Sequence, residues 1–255
     1  MSLVAITRPV SSSIESCELT KLKRQKININ LARKQHRQYE QILVDLGIEL
    51  HRLPIEETMP DSVFIEDTAV VLDELAIMTR PGAESRRTEI NSVAKKLESY
   101  RQLFFIQPPG TMDGGDILHI NNTMFVGLSG RANPDGFKQL QTIVQPFGYK
   151  CTSVRVRDCL HLKSSMCLVA KDPLLINRRW IDVAQFRNFT LIEVDEAEPY
   201  AGNALLVTGT LIYPLAFPKT RVLLERRGIE VKTINLSELA KAEGGVTCCS
   251  LIFKI

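Results

Sequence analysis

Cysteine and aromatic residues are scarce in this sequence, and no long apolar run or excess of one charge is present. Its six cysteines, Cys17, Cys151, Cys159, Cys167, Cys248 and Cys249, are too few and too scattered for a disulfide framework in 255 residues. They fit free thiols in a reducing, cytoplasmic setting. The longest apolar stretches, such as residues 68–72 and 204–207, are strand-sized, whereas a membrane-crossing helix needs ~20 residues. Residues 1–6 are apolar but lack a basic leader and a small-residue cleavage site, so no secretory signal is expected. Basic and acidic residues nearly balance, 32 against 29, and the basic ones are dispersed, which leaves no footprint for nucleic acid. Gly114-Gly115 and Gly244-Gly245 lack the Lys-Ser/Thr of a phosphate loop, so no nucleotide cofactor is expected.

What is present is the 44% hydrophobic content of an ordinary folded protein, expected to form one domain over residues 1–255. Helical spacing of Leu31, Tyr39, Ile42, Leu43 and Leu46 predicts a helix over 30–46, with Asn30 as cap and Gly47 as left-handed stop. A strand at 48–53 follows directly. The same junction recurs with Gly148 and Gly228, and without glycine near residues 103 and 190. Between the junctions lie paired short strands: 66–72 with 75–79, 116–120 with 123–128, and 204–207 with 210–213. Two strands, a helix and a strand thus repeat about every 40 to 55 residues, a period typical of propellers and arrays. Each unit is too small to bury its own core, so the units are expected to pack around one shared axis as an α/β ring of ββαβ repeats.

In such a ring, equivalent loops converge at one end of the axis, bringing Asp67, Asp113, His161, Asn203 and Cys248 together. Cys248 would be a nucleophile if a histidine or cation stabilised its thiolate, and a buried small hydrophobe otherwise. Read as opening a strand, it would leave Cys249 on the opposite face. His161 sits in an apolar run that also suits a core histidine, and Asp113 before Gly114-Gly115 also suits a plain turn. His36 and His51 read as surface positions. Glu66 and Asp67, in what reads as an apolar strand, need a cation if buried, and a cationic ligand would meet that need. Arg80, Arg86, Arg87 and Arg131 suit either surface positions or a ligand carboxylate. The spacings of Cys151, Cys159, His161 and Cys167 do not match a structural zinc site.

Six tracts then carry a resemblance: Pro60-Asp-Ser-Val-Phe-Ile-Glu-Asp67, Thr79-Arg-Pro-Gly-Ala-Glu-Ser-Arg-Arg87, Gly110-Thr-Met-Asp-Gly-Gly-Asp116, Val126-Gly-Leu-Ser-Gly-Arg131, Leu160-His-Leu-Lys163 and Gly244-Gly-Val-Thr-Cys248. In this order, over nearly the whole chain, the sequence resembles the dimethylarginine dimethylaminohydrolase family of guanidino-modifying enzymes. The resemblance implies a pentein-like, five-bladed α/β propeller around a pseudo-fivefold axis. It implies hydrolysis of asymmetric dimethylarginine or monomethylarginine to citrulline and an alkylamine, without cofactor or metal. By the same resemblance Cys248 is the nucleophile, His161 the general acid/base and Asp113 its acidic partner. Glu66 and Asp67 would bind the guanidinium, Arg86 and Arg131 the substrate carboxylate, and the carbonyls of Leu19 and Ala242 the α-amino group. Tyr200-Ala-Gly-Asn-Ala204 departs from the family's Tyr-Ala-Ala-Asn-Cys at two small residues. A monomer or homodimer is expected, with a small-molecule substrate and a lid within residues 11–26. An arginine deiminase, a silent arginine-binding or thiol-switch protein, and a cysteine hydrolase acting on peptides are the competing readings. The paired carboxylates argue against the last, since they would repel a developing oxyanion.

Overall fold

The computed structural model describes residues 2–255. Its fifteen strands form five separate three-stranded sheets. The first blade has β1 (Leu3–Thr7) at its centre, with β2 (Glu49–Arg52) parallel on one side and β15 (Leu251–Lys254) antiparallel on the other. The second contains β3 (Ala69–Val71), β4 (Leu75–Met78) and β5 (Gln102–Phe105); the third β6 (Ile117–Ile120), β7 (Thr123–Leu128) and β8 (Lys150–Arg155). The fourth contains β9 (Met166–Leu168), β10 (Leu174–Ile176) and β11 (Leu191–Glu193); the fifth β12 (Leu205–Val207), β13 (Thr210–Pro214) and β14 (Val231–Ile234). In every blade the central strand pairs antiparallel with one neighbour and parallel with the other.

A parallel pair cannot be joined by a tight turn, so each blade needs a crossover. Four crossovers carry helices: α1 (Ile29–Asp45), a 3₁₀ stretch Glu84–Glu89 leading into α2 (Ile90–Leu97), α3 (Pro134–Val144), and α5 (Pro218–Glu225). Short helices α4 (Leu162–Ser165) and α6 (Ser237–Ala240) sit in loops between blades. The central strands are covered on both faces, and their period-two alternation sends side chains to two different cores. Leu75 and Ile77 pack into a cluster with Met124, Val126 and Leu140, while Ala76 and Met78 pack with Val4, Ile6 and Val93. Five such clusters, each shared by consecutive blades, close the ring. The fold is the expected five-bladed α/β propeller.

Several local expectations are corrected. The cap of α1 is Asn28, whose Oδ1 accepts the Leu31 amide, and Asn30 lies inside the helix. The fourth crossover holds only one 3₁₀ turn, Val183–Phe186, pinned by Phe186 against Phe125 and Phe189. Glu66 and Asp67 lie in a 3₁₀ turn, Ile65–Thr68, held by the Thr68 hydroxyl donating to the Ile65 carbonyl at 2.7 Å. Cys248 is also in a turn, and the strand begins only at Leu251. His36 is buried, on the α1 face that carries Ala32, Tyr39 and Leu43.

Candidate active site

The segments before the antiparallel strand of each blade meet at one end of the axis, as the repeat requires. They deliver Glu66 and Asp67, Asp113, His161 and Lys163, Asn203, and Thr247 and Cys248. Two hydrogen-bonded groups result, joined where Glu66 follows Cys248 in space: the Glu66 amide donates to the Cys248 carbonyl at 3.1 Å.

The first group is Asp67, Asp113 and His161, all buried. His161 Nε2 lies 2.9 Å from Asp113 Oδ2, and Nδ1 lies 3.9 Å from Asp67 Oδ1. Asp113 Oδ1 accepts the Gly82 amide at 2.8 Å, which fixes the carboxylate and leaves Nε2–H as the natural donor to it. Gly115 brings backbone against this pair: a Cβ there would lie 2.7 Å from His161 Nδ1 and 2.9 Å from Asp67 Oδ1. Burial favours the neutral imidazole, but Asp67, the Asp113 hydrogen bond and Asp116 outweigh it and push His161 up to about 9. Burial also opposes the Asp67 charge, but His161 and Arg86 prevail and hold that carboxyl below its ordinary value. These three residues are the only donor cluster among the described residues close enough to hold a metal. A direct Nε2–Asp113 hydrogen bond and an Arg86 guanidinium on Asp67 suit an acid–base site rather than a cation cage. Cys151, Cys159 and Cys167 do not join the cluster.

The second group surrounds Cys248. Glu66 Oε1 accepts from Lys163 Nζ at 2.6 Å and Oε2 from the Thr247 hydroxyl at 2.7 Å. Asn203 donates to the Lys163 carbonyl and the Thr247 hydroxyl, and its Oδ1 accepts the Thr247 amide. The Gly245 amide donates to Cys248 Sγ at 3.3 Å. Burial is the main cause that raises the Cys248 thiol far above its ordinary value, and Glu66 and Asp67 add to it. Burial and the two carboxylates together therefore favour the protonated thiol in the free site. A groove of about 270 Å³, lined by Leu22, Cys159, Tyr200, Leu215 and Phe217 among others, reaches Cys248 from outside. A second cavity, about 320 Å³, is lined by the antiparallel strands of the blades and reaches Glu66 and Lys163.

The two arginines differ. Arg86 is buried with its donors engaged by Asp67 at 2.7 Å, by Glu89, and by the Phe64 carbonyl. Among the described residues the Arg131 side chain makes one hydrogen bond, Nη2 to the Thr20 hydroxyl at 2.8 Å, which leaves its other donors open. Leu19 is half-buried in a strap over this end, and Ala242 is buried beside it. The strap is tied down by Glu243, a non-glycine residue at φ +60°, whose carboxylate accepts the amides of Thr20, Lys21 and Leu22. Asp61, buried, accepts the Glu18 amide at 3.0 Å. Asp61, Asp116, Lys163 and Glu243 have no assigned role in the sequence reading; their partners lie tens of residues away, and local pattern carries no sign of them.

Known proteins resemble the chain over nearly its whole length. Residues 8–253 match the family model described as N,N dimethylarginine dimethylhydrolase, eukaryotic. The N(G),N(G)-dimethylarginine dimethylaminohydrolase of Pseudomonas aeruginosa is 35% identical over 87% of this chain and 88% of its own. That of Streptomyces coelicolor is 35% identical over 97% and 95%. Among solved structures, a Cys-to-Ser variant of the Pseudomonas aeruginosa enzyme complexed with citrulline superposes with a TM-score of 0.94 at 33% identity, covering 99% of this chain and 100% of that one. The N-terminal domain of the cyanobacterial arginine dihydrolase ArgZ shares the fold, with a TM-score of 0.88 at 19% identity over 99% and 97%. Family model, full-length relatives and superposed structure all point one way: the chain belongs to the dimethylarginine dimethylaminohydrolase family.

Proposed function

We propose that the chain hydrolyses the guanidinium of Nω-methylated L-arginine to L-citrulline and methylamine or dimethylamine, with Cys248 as nucleophile and His161 as proton-transfer group. The observation that carries this reading is a half-buried thiol whose carbonyl accepts the Glu66 amide, with the hydrogen-bonded His161–Asp113 pair and the carboxylates of Glu66 and Asp67 buried around it. A guanidinium settling beside Glu66 and Asp67 offsets the charges that hold the thiol proton, so binding itself favours the thiolate. The thiol proton leaves to solvent. The thiolate then attacks the guanidinium carbon, and His161, held ready by Asp113, protonates the departing alkylamine as its C–N bond breaks. Water then attacks the resulting thiouronium carbon and gives a proton to His161. Breaking the C–S bond restores Cys248 and leaves the ureido group of citrulline. Water and the chain's own groups account for every bond change.

For the substrate's amino-acid end we assign Arg131 as the direct partner of the carboxylate, since its donors are open. Arg86 stays behind it and keeps Asp67 ionised. The carbonyls of Leu19 and Ala242, with the Asp61 carboxylate, supply acceptors for the α-amino group near the strap. Six unpaired thiols support a reducing, cytoplasmic setting. The test is citrulline formation from asymmetric dimethylarginine beside arginine, for the wild-type chain and for Cys248→Ala. Dimethylamine release that disappears in the variant is expected. Ammonia from arginine as the dominant product would replace this reading with that of a deiminase, and turnover surviving in the variant would remove Cys248 as nucleophile.

A further inference from the structure

Asp116 lies three residues beyond Asp113 in the same turn and is fully buried, yet nothing in the mechanism uses it. Its two carboxylate oxygens face different loops. Oδ1 accepts the Leu162 amide at 3.0 Å, and Oδ2 accepts the Ser129 hydroxyl at 2.5 Å. Ser129 Oγ in turn accepts the Arg131 amide at 3.0 Å. Leu162 is the first residue of α4, and the residue capping that helix is His161, whose side chain makes no capping hydrogen bond because it is turned to Asp113. A helix start that spends its cap side chain elsewhere leaves amides without acceptors. Asp116 supplies one from the neighbouring blade. Room for it is kept by Gly127, where a Cβ would lie 2.6 Å from Asp116 Oδ1.

We propose that Asp116 is a positioning residue: a single buried carboxylate that bolts the His161 loop to the Arg131 loop, setting the proton-transfer group and the carboxylate-binding group at a fixed separation. Substrate length is thereby read against a rigid span, with the guanidinium at one end and the carboxylate at the other. The assignment rests on the roles given above to His161 and Arg131. The charge has a second effect, because His161 is faced by Asp67 and Asp113 and also feels the Asp116 charge held on the Leu162 amide, with Arg86 paired to Asp67. Burial, reinforced by Asp113, pushes the Asp116 carboxyl up to about 7 against the pull of His161, Ser129 and the Leu162 amide.

Two variants of the full chain separate the two arms of the strut. Asp116→Asn keeps volume and one acceptor but removes the charge; the His161 imidazole, followed by carbon-edited NMR, is expected to titrate at lower pH than in the wild type, a readout that looser packing alone does not dictate. Its kcat/KM for asymmetric dimethylarginine is expected to fall about tenfold or more, the scale of a hydrogen bond to a charged group. Ser129→Ala cuts only the Arg131 arm: KM rises about fivefold, kcat stays within about twofold, and His161 titrates as in the wild type, with Ser129→Thr restoring KM. An unmoved His161 titration in Asp116→Asn, or an unmoved KM in Ser129→Ala, overturns the proposal. Should Asp116→Asn not fold, the half-buried Ser129 arm decides alone. A wild-type chain inactive on every guanidino substrate would sink the proposed function, while the His161 titration would still decide the strut.

Discussion

Replacing Gly115 by alanine puts one methyl group into the narrowest part of the site. The new Cβ would stand 2.7 Å from His161 Nδ1, 2.9 Å from His161 Cγ and 2.9 Å from Asp67 Oδ1, where ordinary contact begins near 3.4 Å. Relief requires the ring to retreat by about 0.5–1 Å, since backbone and ring are both packed. The ring cannot retreat freely, because Nε2 is held by Asp113 at 2.9 Å and Asp113 by the Gly82 amide at 2.8 Å. A catalytic group misplaced by about 1 Å costs on the order of 100-fold in rate, so kcat/KM for asymmetric dimethylarginine is expected to fall about 100-fold. Overpacking costs the fold about 1–3 kcal/mol, which lowers Tm by roughly 2–10 °C in a chain of this size. Gly130→Ala is the control: nothing lies within 4 Å of a Cβ there, and rate and Tm are expected to stay at wild-type values. Initial rates of citrulline formation and a thermal melt on both variants suffice. If Gly115→Ala retains kcat/KM within about threefold, the close approach of this backbone to His161 is not what sets the ring.

Asp67→Asn takes the shortest contact away from the buried Arg86 and is expected to lose about 3 kcal/mol in urea unfolding, the scale of breaking a buried ion pair; a loss under about 1 kcal/mol would mean that Glu89 alone satisfies Arg86. His36 is neutral in the fold because burial lowers it to about 4 from 6.5. Between those values the unfolded chain binds the proton and the folded one does not, so stability falls as pH drops through that window, by up to about 3 kcal/mol. Urea midpoints at pH 7 and 4.5 for wild type and His36→Gln check this, with a shallower pH dependence expected in the variant; equal slopes would count against it. Cys248 in the free protein is expected to react slowly with iodoacetamide at pH 8, faster as pH rises, and faster again at pH 8 in Glu66→Gln, where one of the carboxylates raising it is gone. Peptide mass spectrometry reads the rate, and a wild-type thiol already fully reactive at pH 7 would contradict the assignment.

The ring was legible where chain chemistry is local. Gly47, Gly148 and Gly228 all adopt φ between +74° and +85° at the ends of their crossovers, as the left-handed stop demands. In the fourth crossover the repeat predicts a full helix, but after the Asp182 cap the chain makes only the 3₁₀ turn Val183–Phe186; Phe186 and Phe189 settle it by packing on Phe125 from another blade. His36 was misjudged from residue type although its spacing with Ala32, Tyr39 and Leu43 already placed it on the inner face of α1. In the site, the repeat alone already brings Cys248, His161 and Asp113 together, and the resemblance adds only their roles. The turn at Glu66 and Asp67 was invisible, since it depends on the Thr68 hydroxyl and on a bond to the Cys248 carbonyl. Asp116, Glu243 and Lys163 were missed for the same reason: each is defined by a distant partner.

The first blade is assembled from opposite ends of the described chain. Leu3 pairs with Lys254, Ile6 with Leu251, and the Ile255 amide reaches the Ser2 carbonyl at 2.9 Å. Until β15 arrives, β1 therefore presents an open edge, and the cysteine turn at 248 has no strand to anchor it. An unfinished or trimmed chain exposes the kind of edge that recruits foreign strands. Conversely, residues 2 and 255 could be joined and the chain opened at the exposed Asn121–Asn122 hairpin, giving a permuted sequence with the same circle of blades and the nucleophile carried mid-chain.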